Sequence, residues 1–168
     1  MKIGKLEVIC EKNNSVIYKE ILNNNFYCLK KYQINDSCNL DMMIKSYNNY
    51  KNLKNKEGLI KIYDFWNENN IVFIRMEYLE GYITFAEWQK QKKNSEIPIK
   101  KIIKILNNLL IENCIAPDCG DSNFLINEQQ DVKLIDLDLL NNYDIPSLSF
   151  LGRIYRSLFH RLNYCQKL

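Results

Sequence analysis

The first thirty positions hold three short runs rich in apolar residues. Leu6-Glu7-Val8-Ile9-Cys10 alternates with polar positions, and Val16-Ile17-Tyr18-Lys19-Glu20-Ile21 and Phe26-Tyr27-Cys28-Leu29-Lys30 follow, separated by Lys12-Asn13-Asn14-Ser15 and Asn23-Asn24-Asn25. Such runs joined by short polar turns predict a three-stranded meander. Between residues 39 and 54 the period changes: Leu40, Met43, Ile44, Tyr47, Tyr50 and Leu53 recur at helical spacing, and Gly58 follows. Two further strands are expected over residues 59–65 and 71–76, around the turn Asn67-Glu68-Asn69-Asn70. Past Gly81 the pattern turns helical. A short polar helix is expected over 84–93 and a long amphipathic one over 98–113, with Pro98 in its first turn and Ile102, Ile103, Leu106, Leu109 and Leu110 as its apolar face. Short strands over 124–127 and 132–136 flank Glu128-Gln129-Gln130-Asp131, and a last helix is expected over 147–162.

The pattern makes an α+β protein with a β-rich first half and a helical second half. Its 168 residues suffice for one domain or two small lobes, and 46% apolar residues exclude disorder as the main state. Asparagine is abundant, 23 residues, and with Lys and Ile it reads as the coding bias of an AT-rich genome. Residues 146–168 hold four cations (Arg153, Arg156, Arg161, Lys167) and no acid, leaving 19 basic against 20 acidic side chains in the rest. The body therefore lacks the basic excess of a nucleic-acid binder. Six cysteines without a CxxC pair fit a reducing compartment and give no metal-finger spacing. Residues 1–9 do not read as a signal peptide, and no apolar stretch reaches membrane-span length. A cytoplasmic protein is expected.

The chemistry concentrates in Ile115-Ala116-Pro117-Asp118-Cys119-Gly120-Asp121-Ser122-Asn123-Phe124, followed by Val132-Lys133-Leu134-Ile135-Asp136. Asp118 and Asn123 lie five apart in a loop after a long helix, and Asp136 ends the second strand of the hairpin that Asn123 opens. This arrangement resembles the catalytic loop and metal-binding segment of the protein-kinase-like superfamily. The resemblance implies Asp118 as the residue that orients or deprotonates an acceptor hydroxyl, with Asn123 and Asp136 holding Mg²⁺ against the phosphates of ATP. Phosphoryl transfer requires alignment and charge neutralisation more than covalent help, and hard oxygen ligands on a rigid hairpin suit Mg²⁺. By the same resemblance Lys30 matches the third-strand lysine that contacts the phosphates. Val72-Phe73-Ile74-Arg75-Met76-Glu77-Tyr78-Leu79 matches the fifth strand and hinge, with Met76 as gatekeeper and the Glu77 and Leu79 backbones facing adenine. The implied fold is one minimal two-lobed kinase-like domain over residues 1–168. An antiparallel sheet plus one helix forms an N-lobe (1–78), 77–81 is a hinge, and 82–168 is a reduced helical C-lobe.

Within the superfamily the chain is most similar to the lipopolysaccharide core heptose kinases. The shared features are a first turn without glycine (Lys12-Asn13-Asn14-Ser15), Glu57-Gly58-Leu59, a Gly/Asp-rich loop ending in Asn123-Phe124, Ile135-Asp136-Leu137, and a basic C-terminal helix. The resemblance implies transfer of the γ-phosphoryl group of ATP to a sugar hydroxyl of the lipopolysaccharide inner core, at the cytoplasmic face of the inner membrane. Residues 147–162 add an apolar stripe (Leu148, Leu151, Tyr155, Leu158, Leu162) beside Arg153, Arg156 and His160. That stripe either completes the C-lobe core or brings the enzyme to an anionic membrane or glycolipid.

Two departures keep alternatives open. Ala116-Pro117 stand where many kinases have His-Arg, and residues 39–56 contain no Glu to pair with Lys30, Asp41 being their only acid. A minimal protein kinase or a pseudokinase effector that binds a protein partner is the first alternative. A glycosyltransferase using Asp136-Leu137-Asp138 as an Asp-x-Asp metal site is the second.

Overall fold

Two asparagine pairs shape the sheet. Asn23 and Asn24 take φ of 52° and 60°, and Asn69 and Asn70 take 51° and 60°. Two successive left-handed residues make the tight turn whose twist matches the flanking strands, and asparagine enters that region more readily than other side chains. A further left-handed asparagine, Asn113 (φ 54°), ends the long helix. The abundance of asparagine is thus structural at five turn positions as well as a matter of coding.

A computed structural model describes residues 1–12, 14–34, 40–91, 94–115, 119–137 and 140–142. Strands β1 (Lys5–Lys12), β2 (Ser15–Leu22), β3 (Asn25–Gln33), β4 (Ile62–Glu68) and β5 (Ile71–Glu77) form one antiparallel sheet in the order β1-β2-β3-β5-β4. The helices are α1 (Leu40–Asn52), α2 (Phe85–Lys90) and α3 (Glu96–Ile111). Strand β6 (Ile83–Thr84) pairs with β8 (Phe124–Ile126), which pairs with β9 (Val132–Leu134). Strand β7 (Cys114–Ile115) pairs with β10 (Asn141–Asn142). The protein is α+β, with mostly antiparallel pairing. The expected helix over 147–162 lies outside the described residues.

The chain divides into two compact units, Met1–Ile44 with Ile60–Glu80 and Lys45–Leu59 with Gly81–Leu168. The division runs through α1: its first turn counts with the five-stranded sheet and the rest with the second unit. The fourth strand begins at Ile62, three residues later than the pattern predicts. Gly58 turns the chain at φ 78°, and Leu59 makes an isolated parallel bridge to Leu134 instead of joining the sheet. A Cβ at Gly58 would meet the Ile105 side chain at 2.3 Å, so only glycine allows α3 to approach this turn.

In the first unit the buried residues include Leu29, Val72, Phe73, Ile74 and Met76. Among them lies an ion pair that the alternation of polar and apolar positions does not announce. Glu20 is fully buried and Arg75 nearly so. Arg75 donates from Nε to Glu20 Oε2 at 2.7 Å, from Nη2 to Glu20 Oε1 at 3.0 Å and to the Lys2 carbonyl at 2.9 Å, and from Nη1 to Asp64 Oδ2 at 2.6 Å. The Gly4 N–H donates to Glu20 Oε1 at 2.8 Å, and a Cβ at Gly4 would meet the Ile21 carbonyl oxygen at 2.1 Å. The Arg75 guanidinium lies 5.2 Å from the Trp66 ring centre and 5.7 Å from that of Tyr27. Burial by itself would raise the Glu20 carboxyl; the Arg75 hydrogen bonds, the Gly4 N–H and the Arg75 charge outweigh it and hold the group below its ordinary value.

This network yields an expected outcome in denaturant. Arg75→Ala strands the Glu20 carboxylate and should destabilise the fold by about 3–5 kcal/mol. Glu20→Leu combined with Arg75→Met should recover most of that loss; urea titration of both variants decides it. Because the folded-state value of Glu20 lies below the unfolded one, its contribution is present above the ordinary glutamate value of 4.5 and lost as pH falls through the folded value. Glu20→Gln should therefore flatten the acid limb of the stability curve.

Candidate functional site

The residues expected to meet a nucleotide divide between the two units. Register decides which of them share a sheet face, since directly opposed residues point the same way. Lys30 is opposite Ile17 and Ile74, and Cys28 is opposite Lys19 and Met76. Lys30, Cys28 and Met76 therefore stand on one face, and Leu29, Glu20 and Arg75 on the other. The Lys30 ammonium lies 4.6 Å from the centre of the Tyr32 ring. Burial pushes the Cys28 thiol up to about 11, against the opposing pull of the Lys30 ammonium.

Glu77 ends β5. Its N–H donates to the Lys61 carbonyl at 2.9 Å, and its Oε1 accepts from the Lys61 N–H at 2.7 Å. Leu79 follows in the half-buried segment before Gly81 (φ 75°). Lys30, Met76, Glu77 and Leu79 all belong to the first unit.

The expected metal ligands belong to the second unit. Asn123 closes a 3-10 turn (Asp121–Asn123), its N–H donating to the Gly120 carbonyl at 3.0 Å, and it is 7% exposed. The hairpin β8–β9 reverses over a turn in which the Asn127 side chain accepts from the Asp131 N–H at 2.9 Å. Tyr82 donates to Asp131 Oδ2 at 2.7 Å, and the Lys101 ammonium donates to the Gln130 carbonyl at 2.7 Å. At the open end the Ile135 N–H donates to the Asn123 carbonyl at 2.9 Å. That bond brings Asn123 and Asp136, thirteen residues apart in sequence, to the same end of one hairpin.

Two further contacts fix this end. The Leu134 N–H donates to the Gly58 carbonyl at 2.8 Å, and the ladder Asn141↔Ile115 and Asn142↔Cys114 joins the chain after Asp136 to the strand that leads into residue 116. Asp118, the expected hydroxyl-orienting base, lies outside the described residues. Asn123 and Asp136 both carry hard oxygen donors, the chemistry that Mg²⁺ selects.

Helix α1 supplies no glutamate; its Asp41 is an exposed acid in the first turn, where it suits the helix dipole. Three features escape a reading by period. The Arg75–Glu20 pair has a sequence signal, an arginine inside the apolar run 71–76. Glu112 caps the loop after α1 by accepting from the Lys54 and Asn55 N–H groups, both at 2.7 Å, and these bonds, with the Lys54 and Lys56 charges, hold its carboxyl below the ordinary value. Asn49 is a buried amide in α1, whose side chain reaches Leu140.

Comparison with the models of known protein families gives no match, and comparison with curated proteins gives none either. Among the described residues no helix is long and apolar enough to cross a membrane.

The raised Cys28 thiol has a measurable consequence. At pH 8 about one Cys28 in a thousand should be thiolate, so iodoacetamide should label it far more slowly than a model peptide thiol. Peptide mapping by mass spectrometry across pH 7–10 checks this, and labelling at the rate of a free thiol contradicts the burial argument.

Proposed function

We propose that this chain is a minimal kinase-like phosphotransferase that binds ATP with Mg²⁺ and transfers the γ-phosphoryl group to a hydroxyl. The proposed acceptor is a heptose or other sugar hydroxyl of the lipopolysaccharide inner core. The observation that carries the reading is the Ile135–Asn123 backbone bond, which brings the Asn123 and Asp136 positions to the same end of one hairpin. It is supported by the order of elements: a five-stranded antiparallel sheet, one helix after its third strand, then a helix, a loop and a hairpin framed by the β7–β10 pair. Lys30 and Met76 on one face of β3 and β5 agree with it as well.

In the proposed reaction each residue acts through charge and alignment. Lys30 neutralises phosphate oxygens. Asn123 and Asp136 hold Mg²⁺, which supplies charge neutralisation at the phosphates. The backbones of Glu77 and Leu79 and the Met76 side chain border the adenine. Asp118 orients the acceptor hydroxyl and takes its proton as the oxygen bonds to the γ-phosphorus and ADP leaves. Residues 147–162, with their arginines, would hold the enzyme at an anionic glycolipid or at the cytoplasmic face of the inner membrane. The second reading, a pseudokinase effector that binds a protein partner, has one observation in its favour: α1 offers Lys30 no glutamate.

Thermal shift with ATP, with and without Mg²⁺, tests the binding step, since a ligand of the folded state raises stability by mass action. Asp136→Asn should abolish the metal-dependent part of the shift and Lys30→Ala should weaken nucleotide binding. Unchanged binding and turnover in both variants would refute the assignment. With ATP and a lipopolysaccharide core oligosaccharide, Asp118→Ala should lower kcat by about 10²–10⁴-fold with nucleotide affinity retained. ATP binding without turnover on any sugar acceptor would favour the pseudokinase.

A further inference from the structure

Helix α1 carries a buried amide that its packing does not require. Met43 and Tyr50 in the helix and Leu53 just past its end are buried, and Asn49, 7% exposed, lies one turn from the buried Ser46 and from Leu53. Its Nδ2 donates to the Leu140 carbonyl at 2.8 Å, a buried bond between residues 91 positions apart. A buried amide without such a partner destabilises a fold, and a leucine would fill the same space with none of that penalty. What the amide adds is therefore its bond.

The bond acts on the stretch that carries Asp136. This stretch is tied at its start by Ile135 N–H to the Asn123 carbonyl and closed by Leu140 N–H to the Leu137 carbonyl at 3.1 Å. Leu137 and Leu140 are both buried, and directly after them Asn141 pairs with Ile115 at the entrance to residues 116–118. Asn49 holds the far end of this stretch at Leu140, one residue before the β10 pairing begins. Asn49, Leu140 and Asp136 all belong to the second unit.

We infer that Asn49 is a positioning residue for Asp136: it holds the backbone at Leu140 and, through the Leu140–Leu137 bond, at Leu137, so that the Asp136 carboxylate meets Mg²⁺ together with Asn123. The inference rests on the proposed nucleotide and metal site. It assigns α1 a task other than a helix glutamate's pairing with the sheet lysine, namely control of the metal-bearing turn. Mg²⁺ tolerates little departure from its coordination geometry, so a loosened ligand lowers metal affinity before it affects nucleotide contacts made elsewhere.

The test measures ATP binding by calorimetry as Mg²⁺ is varied, in wild type, Asn49→Ala and Ile102→Val. The last truncates a buried side chain of α3 and serves as a control for general destabilisation. Asn49→Ala should raise the Mg²⁺ concentration for half-maximal binding by about 10-fold, with ATP affinity in EDTA unchanged and with Ile102→Val like wild type. Hydrogen exchange at the Leu140 amide should speed up in Asn49→Ala alone. If Asn49→Ala does not fold, Asn49→Leu, which keeps the volume and removes the donor, is read in the same way. Wild-type Mg²⁺ dependence in the Asn49 variant overturns the inference and leaves the site standing, as does an equal shift in Ile102→Val. Wild type that binds no ATP in either condition overturns the site and the inference together.

Discussion

A buried guanidinium must have its donors met, and the way Arg75 meets this condition organises the first unit. Its hydrogen bonds run to Glu20 on β2, Asp64 on β4 and the backbone of Lys2, while it sits on β5 between the rings of Trp66 and Tyr27. Losing any one partner would leave charge in a low-dielectric surrounding, so β2, β4, β5 and the N-terminal segment are held to one arrangement. Leu29, beside Arg75 on the same face, is fully buried, and Lys30 points the other way because strand parity leaves no alternative. The orientation of the candidate phosphate-binding lysine thus follows from the ion pair on the opposite face.

The second unit meets the same condition with backbone groups. Strand β9 is short, and its continuation has no long ladder to rest on. Instead Gly58 receives Leu134, Asn123 receives Ile135, and Asn49 reaches Leu140. Each of these partners lies at least eleven residues away in sequence, which makes the turn bearing Asp136 a product of α1, of the Gly58 turn and of the 3-10 turn together. A rigid support of this kind is what a ligand for a geometrically demanding cation needs.

The candidate residues of the two units differ in chemical character. The sheet face offers Lys30 with a protonated Cys28 beside it, a cationic and otherwise poorly hydrated surface. At the hairpin end Asn123 contributes an amide and Asp136 a carboxylate.

The pattern of apolar runs and polar turns places the meander and the β8–β9 hairpin, and apolar spacing places α1 and α3, whose buried residues recur at helical steps. The turns at Asn23-Asn24 and Asn69-Asn70 were legible for the same local reason, since left-handed backbone narrows the choice of residue. Asn123 and Asp136 could be nominated from their order along the chain, yet their nearness depends on the Ile135–Asn123 bond. The late start of β4, the β7–β10 pair, the Arg75 network and the Asn49–Leu140 bond left no periodic trace. These depend on polar contacts between residues distant in sequence, and only the folded chain decides which buried donor finds which acceptor.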